Sequence, residues 1–270
     1  MNVLSIGNSF SYDAHRYLHR IAEADGFNLE TFNLIIGGCS LLKHYQNMLG
    51  KKRDYILGVN GNSTGFYVSM NEALLNRGWD VVTIQQVSNN SNDYSTFQPY
   101  LNEIVTYVKK CVPKAKIVLH QTWAYEQDSI RLNEELGYKN HSDMFCDIKA
   151  SYESAFRDTK ADYIIPSGEL FQSMIDQGIE KIHRDTFHAK LGIGRYALGL
   201  LWYSMLSGNS VENNSFANFD EEISDTQIKI AKRCVAEVVN QYRKLNHTVC
   251  GASNSLMKFH HRFLFYGNIV

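Results

Sequence analysis

Short runs of apolar and β-branched residues alternate along the chain with longer segments in which apolar residues recur every three or four positions. The short runs have the length and composition of buried parallel strands. Five strands are predicted, at residues 2–6, 29–36, 80–85, 115–120 and 162–166. Amphipathic helices are predicted at residues 13–24, 97–110, 143–157, 190–206 and 224–244. Strands that alternate with helices pair in parallel through right-handed crossovers, so the pattern predicts a three-layer α/β/α domain.

Two segments do not fit this alternation. Residues 53–69 hold two short apolar runs around an Asn-Gly pair, which predicts a hairpin inserted between the second and third core strands. Residues 247–270 match no element of the core, and the sequence assigns them no role. We therefore predict a single domain over residues 1–246, followed by a C-terminal extension.

Charge and cysteine usage narrow the function classes. The 270 residues carry 27 basic and 28 acidic side chains, a net charge of −1, without a long run of either sign. This balance argues against nucleic acid or an anionic membrane surface as a partner. The cysteines are scattered without a Cys-x-x-Cys pair, and no leader or membrane-spanning run is visible. We expect a cytoplasmic protein with no metal and no cofactor; its oligomeric state is not predicted.

The first strand ends in the sequence IGNSFS, residues 6–11, directly before an amphipathic segment. Ser9 has two interpretations there. It, or Ser11, caps the following helix, as serine often does. Alternatively, Ser9 is a nucleophile at the carboxyl end of a parallel strand, where ligands bind and where unpaired helix N–H groups favour a developing oxyanion.

The nucleophile interpretation needs a base and an orienting acid, and residues 185–188, DTFH, supply both types. On a tight loop or helical turn, Asp185 and His188 face the same way, so the carboxylate can orient the imidazole toward a serine. The segment follows the last predicted core strand and therefore reaches the end of the sheet that holds Ser9. An ordinary surface loop is the alternative.

Further candidates follow the other strands. Gly37 and Gly38 come after the second strand, and the polar segment 85–92, QQVSNNSN, comes after the third. A glycine N–H and a side-chain amide could bind an oxyanion, although both segments also have the composition of ordinary turns. After the fourth strand come His120, Trp123 and Tyr125, which could line the same rim and stack on a sugar. Core packing is the alternative for Trp123.

These motifs, in this order, resemble the SGNH (GDSL-type) hydrolase superfamily over roughly residues 2–206. Gly7-Asn8-Ser9 matches the family's first block, Gly37 or Gly38 its second, and Asp185-Thr186-Phe187-His188 its last. The third block departs from the family's Gly-x-Asn-Asp, because Val87-Ser88-Asn89-Asn90 lacks the glycine.

The resemblance implies a five-stranded parallel sheet in flavodoxin-like order and ester hydrolysis through an acyl-serine. Ser9 would be the nucleophile, His188 the base and Asp185 the orienting acid. The backbone amides of Ser9 and Gly38, with the side chain of Asn89 or Gln86, would hold the oxyanion.

The expected substrate is a small acyl ester, in particular an acetyl ester on a carbohydrate or oligosaccharide, because family members often remove acetyl groups from carbohydrates. Three alternatives remain open. One is a lipase or thioesterase of the same mechanism, and another is a carbohydrate-binding protein without turnover. The third is a metal-dependent hydrolase that uses His183, Asp185 and His188.

Overall fold

Seven strands form one mixed sheet at the centre of the protein, in a computed structural model that describes residues 1–260 and the side chains of residues 1–243. In chain order the strands are β1 (Asn2–Gly7), β2 (Glu30–Ile35), β3 (Tyr55–Val59), β4 (Asn62–Val68), β5 (Val81–Ile84), β6 (Lys116–His120) and β7 (Tyr163–Ile165). Across the sheet their order is β4-β3-β2-β1-β5-β6-β7. The α/β class predicted from the sequence is confirmed.

The predicted five-stranded parallel sheet is wrong in its strand number. The five predicted strands do pair in parallel, in the flavodoxin-like order β2-β1-β5-β6-β7. The hairpin β3-β4, however, pairs antiparallel with β2 and extends the sheet to seven strands. Without it, β2 would expose a row of unpaired backbone N–H and C=O groups. In the hairpin, Leu57 pairs with Leu34, and Ile56 with Ile35.

Helices cover both faces of the sheet. They are α1 (Ser9–His15), α2 (Leu18–Ala24), α3 (Leu41–Gly50), α4 (Met70–Leu75), α5 (Tyr100–Cys111), α6 (His141–Thr159), α7 (Ser167–Asp176), α8 (Ile193–Ser207) and α9 (Asp225–His260). Successive side chains of a strand point to opposite faces. In β1, Leu4 lies beside Ala73 of α4, whereas Ser5 contacts His15 of α1. Accordingly α3, α4 and α5 contact one another on one face, and α1, α2 and α8 on the other.

The start of α1 differs from the prediction in a way that matters for the site. The segment predicted as one helix at 13–24 forms two helices, α1 and α2, and α1 begins at Ser9, directly after β1. The first strand therefore passes into a helix within two residues. The side chain of Ser9 and its N–H both lie at a helix N-terminus at the carboxyl end of the sheet's parallel strands.

The predicted extension at 247–270 lies outside the residues whose side chains are described. The division of the chain at residue 246 therefore stays a prediction. Among the described helices, none has the length and apolar composition needed to cross a membrane.

Candidate active site

Ser9 is not the cap of α1. Asn8 is the N-cap, in an extended conformation, and its Oδ1 accepts a hydrogen bond from the N–H of Phe10 at 3.0 Å. The Ser9 hydroxyl is therefore free to make other contacts. The tight bend also requires Gly7, because a Cβ there would lie 2.3 Å from Ser11 Oγ and 2.9 Å from Gln85 Oε1.

Ser9, His188 and Asp185 form a continuous chain of hydrogen bonds. Ser9 Oγ lies 2.8 Å from His188 Nε2, and His188 Nδ1 lies 2.8 Å from Asp185 Oδ2. A carboxylate only accepts hydrogen bonds, so Nδ1 carries the proton of the neutral ring. Nε2 is then the acceptor for the serine proton. This is the geometry that a serine nucleophile and its base require.

Hydrogen bonds from His188 keep the Asp185 carboxylate ionised. Its second oxygen, Oδ1, accepts the backbone N–H of His188 at 2.9 Å. Partial burial acts to raise the pKa of Asp185, but the hydrogen bonds from the His188 side chain and backbone outweigh it and lower that pKa. The acid is thus negatively charged where it orients the imidazole.

The loop that carries this pair is tightly closed. His183 and Ala189 form an antiparallel bridge at its base, and Arg184 N–H donates to the carbonyl of His188 at 3.0 Å. At its tip Thr186 has a φ of 73°, a left-handed conformation that is rare for a β-branched residue. Strained backbone of this kind persists where surrounding contacts fix it, often at functional sites. Here the Thr186 carbonyl accepts the N–H of Glu126 at 2.7 Å.

Asp13 connects this loop to the helix that carries Ser9. It is fully buried on α1, one turn after Ser9. Its carboxylate accepts hydrogen bonds from Arg184 at 3.0 Å, Arg195 Nε at 2.8 Å and the Ala189 N–H at 3.1 Å. The sequence analysis did not identify this role of Asp13. An aspartate that is buried on a helix face needs partners of this kind.

A cavity of about 340 Å³ opens beside Ser9 and His188. It is lined by Asn8, Ser9, Phe10, Gly37, Gly38, Val87, Ser88, Asn89, Tyr125, Arg131, Phe187 and His188. Its volume is in the usual range for a small-molecule site. The segments after β1, β2, β5 and β6 and the His188 loop therefore do meet at one edge of the sheet.

Three of the four predicted oxyanion groups lie at this cavity. The N–H groups of Ser9 and Gly38 donate no hydrogen bond within the described part of the chain. Gly38 adopts a φ of 62°, which a glycine takes without strain. Asn89 also lines the cavity, with an exposed side chain. Gln86 does not: its amide is buried and holds Thr96 and the N–H of Leu41.

Beneath the cavity, buried neutral side chains hold Asn8 in place. We call Asn8, Gln85 and His120 together the amide network. Gln85 Nε2 donates to Asn8 Oδ1 at 2.8 Å, and Gln85 Oε1 lies 2.9 Å from His120 Nδ1, which must donate. Asn8 Nδ2 in turn donates to the carbonyl of Cys39 at 3.2 Å, next to Gly38. Burial lowers the pKa of His120 to about 3, so the ring is neutral.

The predicted aromatic rim is only partly present. Tyr125 lines the cavity, and its hydroxyl lies 2.9 Å from Ser88 Oγ. His120 is fully buried in the amide network. Trp123 is also fully buried, stacked on Phe10 with ring centroids 4.0 Å apart, and cannot stack on a sugar.

Arg131 is a cavity residue that the sequence reasoning missed. It lies in a single π-helical turn at Arg131–Glu135, after β6. Its guanidinium carbon lies 4.3 Å from the centroid of the Phe187 ring, which itself packs 3.9 Å from the His188 ring. No periodic pattern in the sequence marks this segment.

A metal-dependent site finds no support in the part of the chain that is described, where no group of three or more potential ligand side chains is positioned to hold an ion. His183, one of the three candidates, is buried, and its Nε2 lies 3.1 Å from the carbonyl of Ala124. Burial lowers its pKa to about 4.

Comparisons with known proteins agree with this fold. The profile of a family described as "Domain of unknown function (DUF4886)" matches residues 2–238. A crystal structure of a DUF4886 family protein from Bacteroides uniformis is 30% identical, with 88% of this chain and 94% of that chain covered and a TM-score of 0.81. No curated protein matches the chain.

Two more distant structures carry hydrolase names. A protein from Slackia heliotrinireducens, provisionally assigned as an SGNH hydrolase, is 22% identical, with 76% of this chain and 98% of that chain covered and a TM-score of 0.57. A provisionally assigned GDSL-like lipase from Parabacteroides merdae is 14% identical, with 77% and 95% covered and a TM-score of 0.53. The resemblance to the SGNH hydrolases is thus confirmed at the level of the fold.

Proposed function

The chain belongs to the DUF4886 family, whose description assigns no activity, and we propose that it is a serine esterase that hydrolyses small acyl esters. The single observation that carries the proposal is the hydrogen-bonded chain from Ser9 Oγ through His188 to Asp185. Hydrogen-bonded groups of these three types recur on unrelated folds as a nucleophile, its base and an orienting acid.

In the proposed first half-reaction, Ser9 Oγ attacks the ester carbonyl carbon while His188 Nε2 takes the serine proton. The imidazolium that forms is stabilised by the Asp185 carboxylate. When the tetrahedral intermediate collapses, the C–O bond to the alcohol breaks and His188 returns the proton to the leaving oxygen. Acyl-Ser9 and the free alcohol result. In the second half-reaction, His188 takes a proton from water while the water oxygen attacks the acyl carbon. The bond from that carbon to Ser9 Oγ then breaks, His188 returns the proton to Ser9 Oγ, and the acid is released.

The negative charge of each intermediate needs donors that are already in place. We propose the unpaired N–H groups of Ser9 and Gly38 together with the side-chain amide of Asn89. Ser9 N–H is at the N-terminus of α1, where the partial positive charge favours an anion. Removal of one such donor typically costs about 3–4 kcal/mol of transition-state stabilisation.

We further propose that the acyl group is small, as in an acetyl ester, and that the alcohol is a sugar hydroxyl. The cavity of about 340 Å³ must accept both parts of the ester, which limits the acyl chain. Its lining combines the exposed side-chain amide of Asn89 with the aromatic rings of Tyr125 and Phe187. Such a mixture of polar groups and ring faces suits a carbohydrate.

The proposal is tested by covalent labelling and by hydrolysis of 4-nitrophenyl acetate. A fluorophosphonate is expected to modify Ser9, located by peptide mass spectrometry, and Ser9→Ala is expected to lower kcat by at least about 1,000-fold. Ser88→Ala is the matched control, since Ser88 lines the same cavity but its hydroxyl contacts Tyr125. Equal activity of Ser9→Ala and the parent, or a label on another residue, would refute the proposal.

The substrate is tested separately, with a panel of acetylated sugars and their longer-chain acyl analogues. Release of acetate by the parent and not by Ser9→Ala is the expected result. A preference for longer acyl chains would replace the small-acyl proposal with a lipase-like specificity while leaving the mechanism intact.

A further inference from the structure

Arg131 places a permanent positive charge in the cavity beside Ser9. Its guanidinium carbon lies over the Phe187 ring, and that ring packs on His188, so one aromatic ring separates the charge from the proposed base. The charge also reaches Tyr125: burial raises the pKa of the Tyr125 hydroxyl, and Arg131 acts in the opposite direction.

The described residues that line the cavity do not neutralise the charge of Arg131. No aspartate or glutamate is among the described residues that line the cavity. The nearest ion pair is with Glu135, one turn further along the π-helical segment, at 3.9 Å and with 58% of the glutamate side chain exposed. Such a loose surface pair contributes little. Within the described part of the chain, the Arg131 guanidinium donates no hydrogen bond to a protein group.

We propose that Arg131 binds a carboxylate carried by the ester substrate, so that the enzyme selects anionic acyl esters. This inference rests on the proposed esterase function and assigns its substrate class. A guanidinium carries its N–H groups in one rigid plane, and that fork matches the two oxygens of a carboxylate. The carboxylate belongs either to the acyl group or to the alcohol, and both positions are consistent with a guanidinium one ring away from His188.

The test compares esters that differ only in charge. For the acyl side the pair is methyl hydrogen succinate and its neutral analogue methyl succinamate. For the alcohol side the pair is 3-acetoxybenzoate and the neutral 3-acetoxybenzamide. The parent is expected to prefer the carboxylate within one pair by about 10-fold or more in kcat/KM, the usual range for a charged hydrogen bond. The pair that shows the preference identifies the side of the ester that Arg131 contacts.

Arg131→Met is expected to abolish this preference, so that kcat/KM for the carboxylate ester falls to the value that the same variant shows for the neutral amide ester of the pair. Methionine keeps an unbranched apolar chain against Phe187 but removes the charge. Arg131→Lys is expected to retain part of the preference, since it keeps the charge and loses the fork. Arg157→Met is the control, because Arg157 is an exposed residue of α6 that donates a hydrogen bond to Ser154 of the same helix.

Each outcome decides the inference. Hydrolysis of the neutral esters shows that Arg131→Met is folded and active. If such an active variant has lost the preference for the carboxylate ester, the inference is supported. Preference for the carboxylate that survives in Arg131→Met, or a parent that shows no preference in either pair, overturns it while the esterase function stands. If no ester is hydrolysed and the fluorophosphonate does not modify Ser9, the proposed function fails and the inference falls with it.

Discussion

Two buried polar regions support the site, and they differ in their chemistry. One, which we call the ionic cluster, joins Asp13 to Arg184 and Arg195 and holds the loop of the proposed base. The other, the amide network, is neutral and holds the bend that carries Ser9 and the loop at Gly38. The base loop is thus held by charge, and the proposed oxyanion loop by neutral hydrogen bonds.

The difference predicts different responses to substitution and to pH. A buried ion whose partner is removed carries a large desolvation cost, because the remaining charge is left without compensation. A neutral buried donor or acceptor that loses its partner costs less. Acid, however, adds charge to buried imidazoles and leaves strongly stabilised carboxylates ionised.

The largest expected effect is that of Asp13→Asn. Asparagine retains the size of the side chain but removes the counter-charge that Arg184 and Arg195 share, and leaves Arg195 with Asp220 as its acidic partner. We expect a loss of about 3–5 kcal/mol in the free energy of unfolding, measured by urea denaturation. Fluorophosphonate labelling of Ser9 is expected to slow as well, because the His188 loop loses its attachment to α1.

Asp54→Asn is the control for this variant. Asp54 pairs with Lys43 at 3.7 Å, with 46% of the Asp54 side chain exposed, so its loss is expected to cost less than about 1 kcal/mol. Equal stabilities of Asp13→Asn and Asp54→Asn would contradict the role assigned to the ionic cluster.

A smaller effect is expected for Gln85→Met in the amide network. Methionine has a similar shape but neither accepts from His120 nor donates to Asn8. The loss in unfolding free energy is expected to be about 1–3 kcal/mol. Because Asn8 fixes the carbonyl of Cys39, kcat is expected to fall while KM changes little.

Gln241→Met, at an exposed position on α9, controls for the substitution itself. A Gln85→Met protein that loses stability but keeps the parent kcat would mean that the amide network supports the fold and not the proposed oxyanion loop.

The last prediction concerns pH, which separates the two regions. Burial lowers the pKa of both His120 and His15 to about 3, against 6.5 for the free side chain. Below pH 6.5 the unfolded chain binds protons that the folded chain does not bind until about pH 3. The free energy of unfolding therefore decreases as the pH is lowered through this window, by about 1.4 kcal/mol per pH unit for each histidine.

Asp220, an acidic partner of Arg195 in the ionic cluster, is expected to stay ionised over the same range. Asp220, which receives a hydrogen bond from Arg195, has its pKa lowered to about 2 by its bond to Arg16. The stability that ionised Asp220 contributes is present above pH 3.8, the ordinary pKa of an aspartate, and is lost only as the pH falls toward 2. Urea denaturation between pH 7 and 5 tests the contribution of His120. His120→Gln should reduce the slope of the unfolding free energy against pH by the amount that corresponds to about one bound proton. An unchanged slope would show that His120 is not buried as a neutral ring.

Much of the fold followed from the hydrophobic pattern. All five predicted strands are present, and their ends differ from the predicted ones by at most one residue. The helices α3, α4 and α7 were not predicted, because helices of ten residues or fewer contain too few turns for the period to be distinct. The hairpin was predicted, but its pairing with β2 was not, since a local pattern contains no information about which edge a hairpin joins.

Within the candidate site, the sequence identified residue types better than side-chain directions. Gln85 and Gln86 are neighbours, yet one enters the amide network and the other binds Thr96. His120 ends β6 with its side chain directed beneath the cavity. Because side chains alternate between faces, a shift of one residue separates a cavity position from a buried one.

By itself, then, the sequence determined the α/β class, the bend at Ser9 and the pairing of Asp185 with His188, because these depend on local periodicity and on neighbours three residues apart. Only the tertiary structure decided that Asp13 meets Arg184 from 171 positions away, that Trp123 is buried and that Arg131 faces the cavity. The physical reason is that these contacts depend on how distant segments pack against one another. A local pattern records the periodicity of a segment and not the partner that the segment meets.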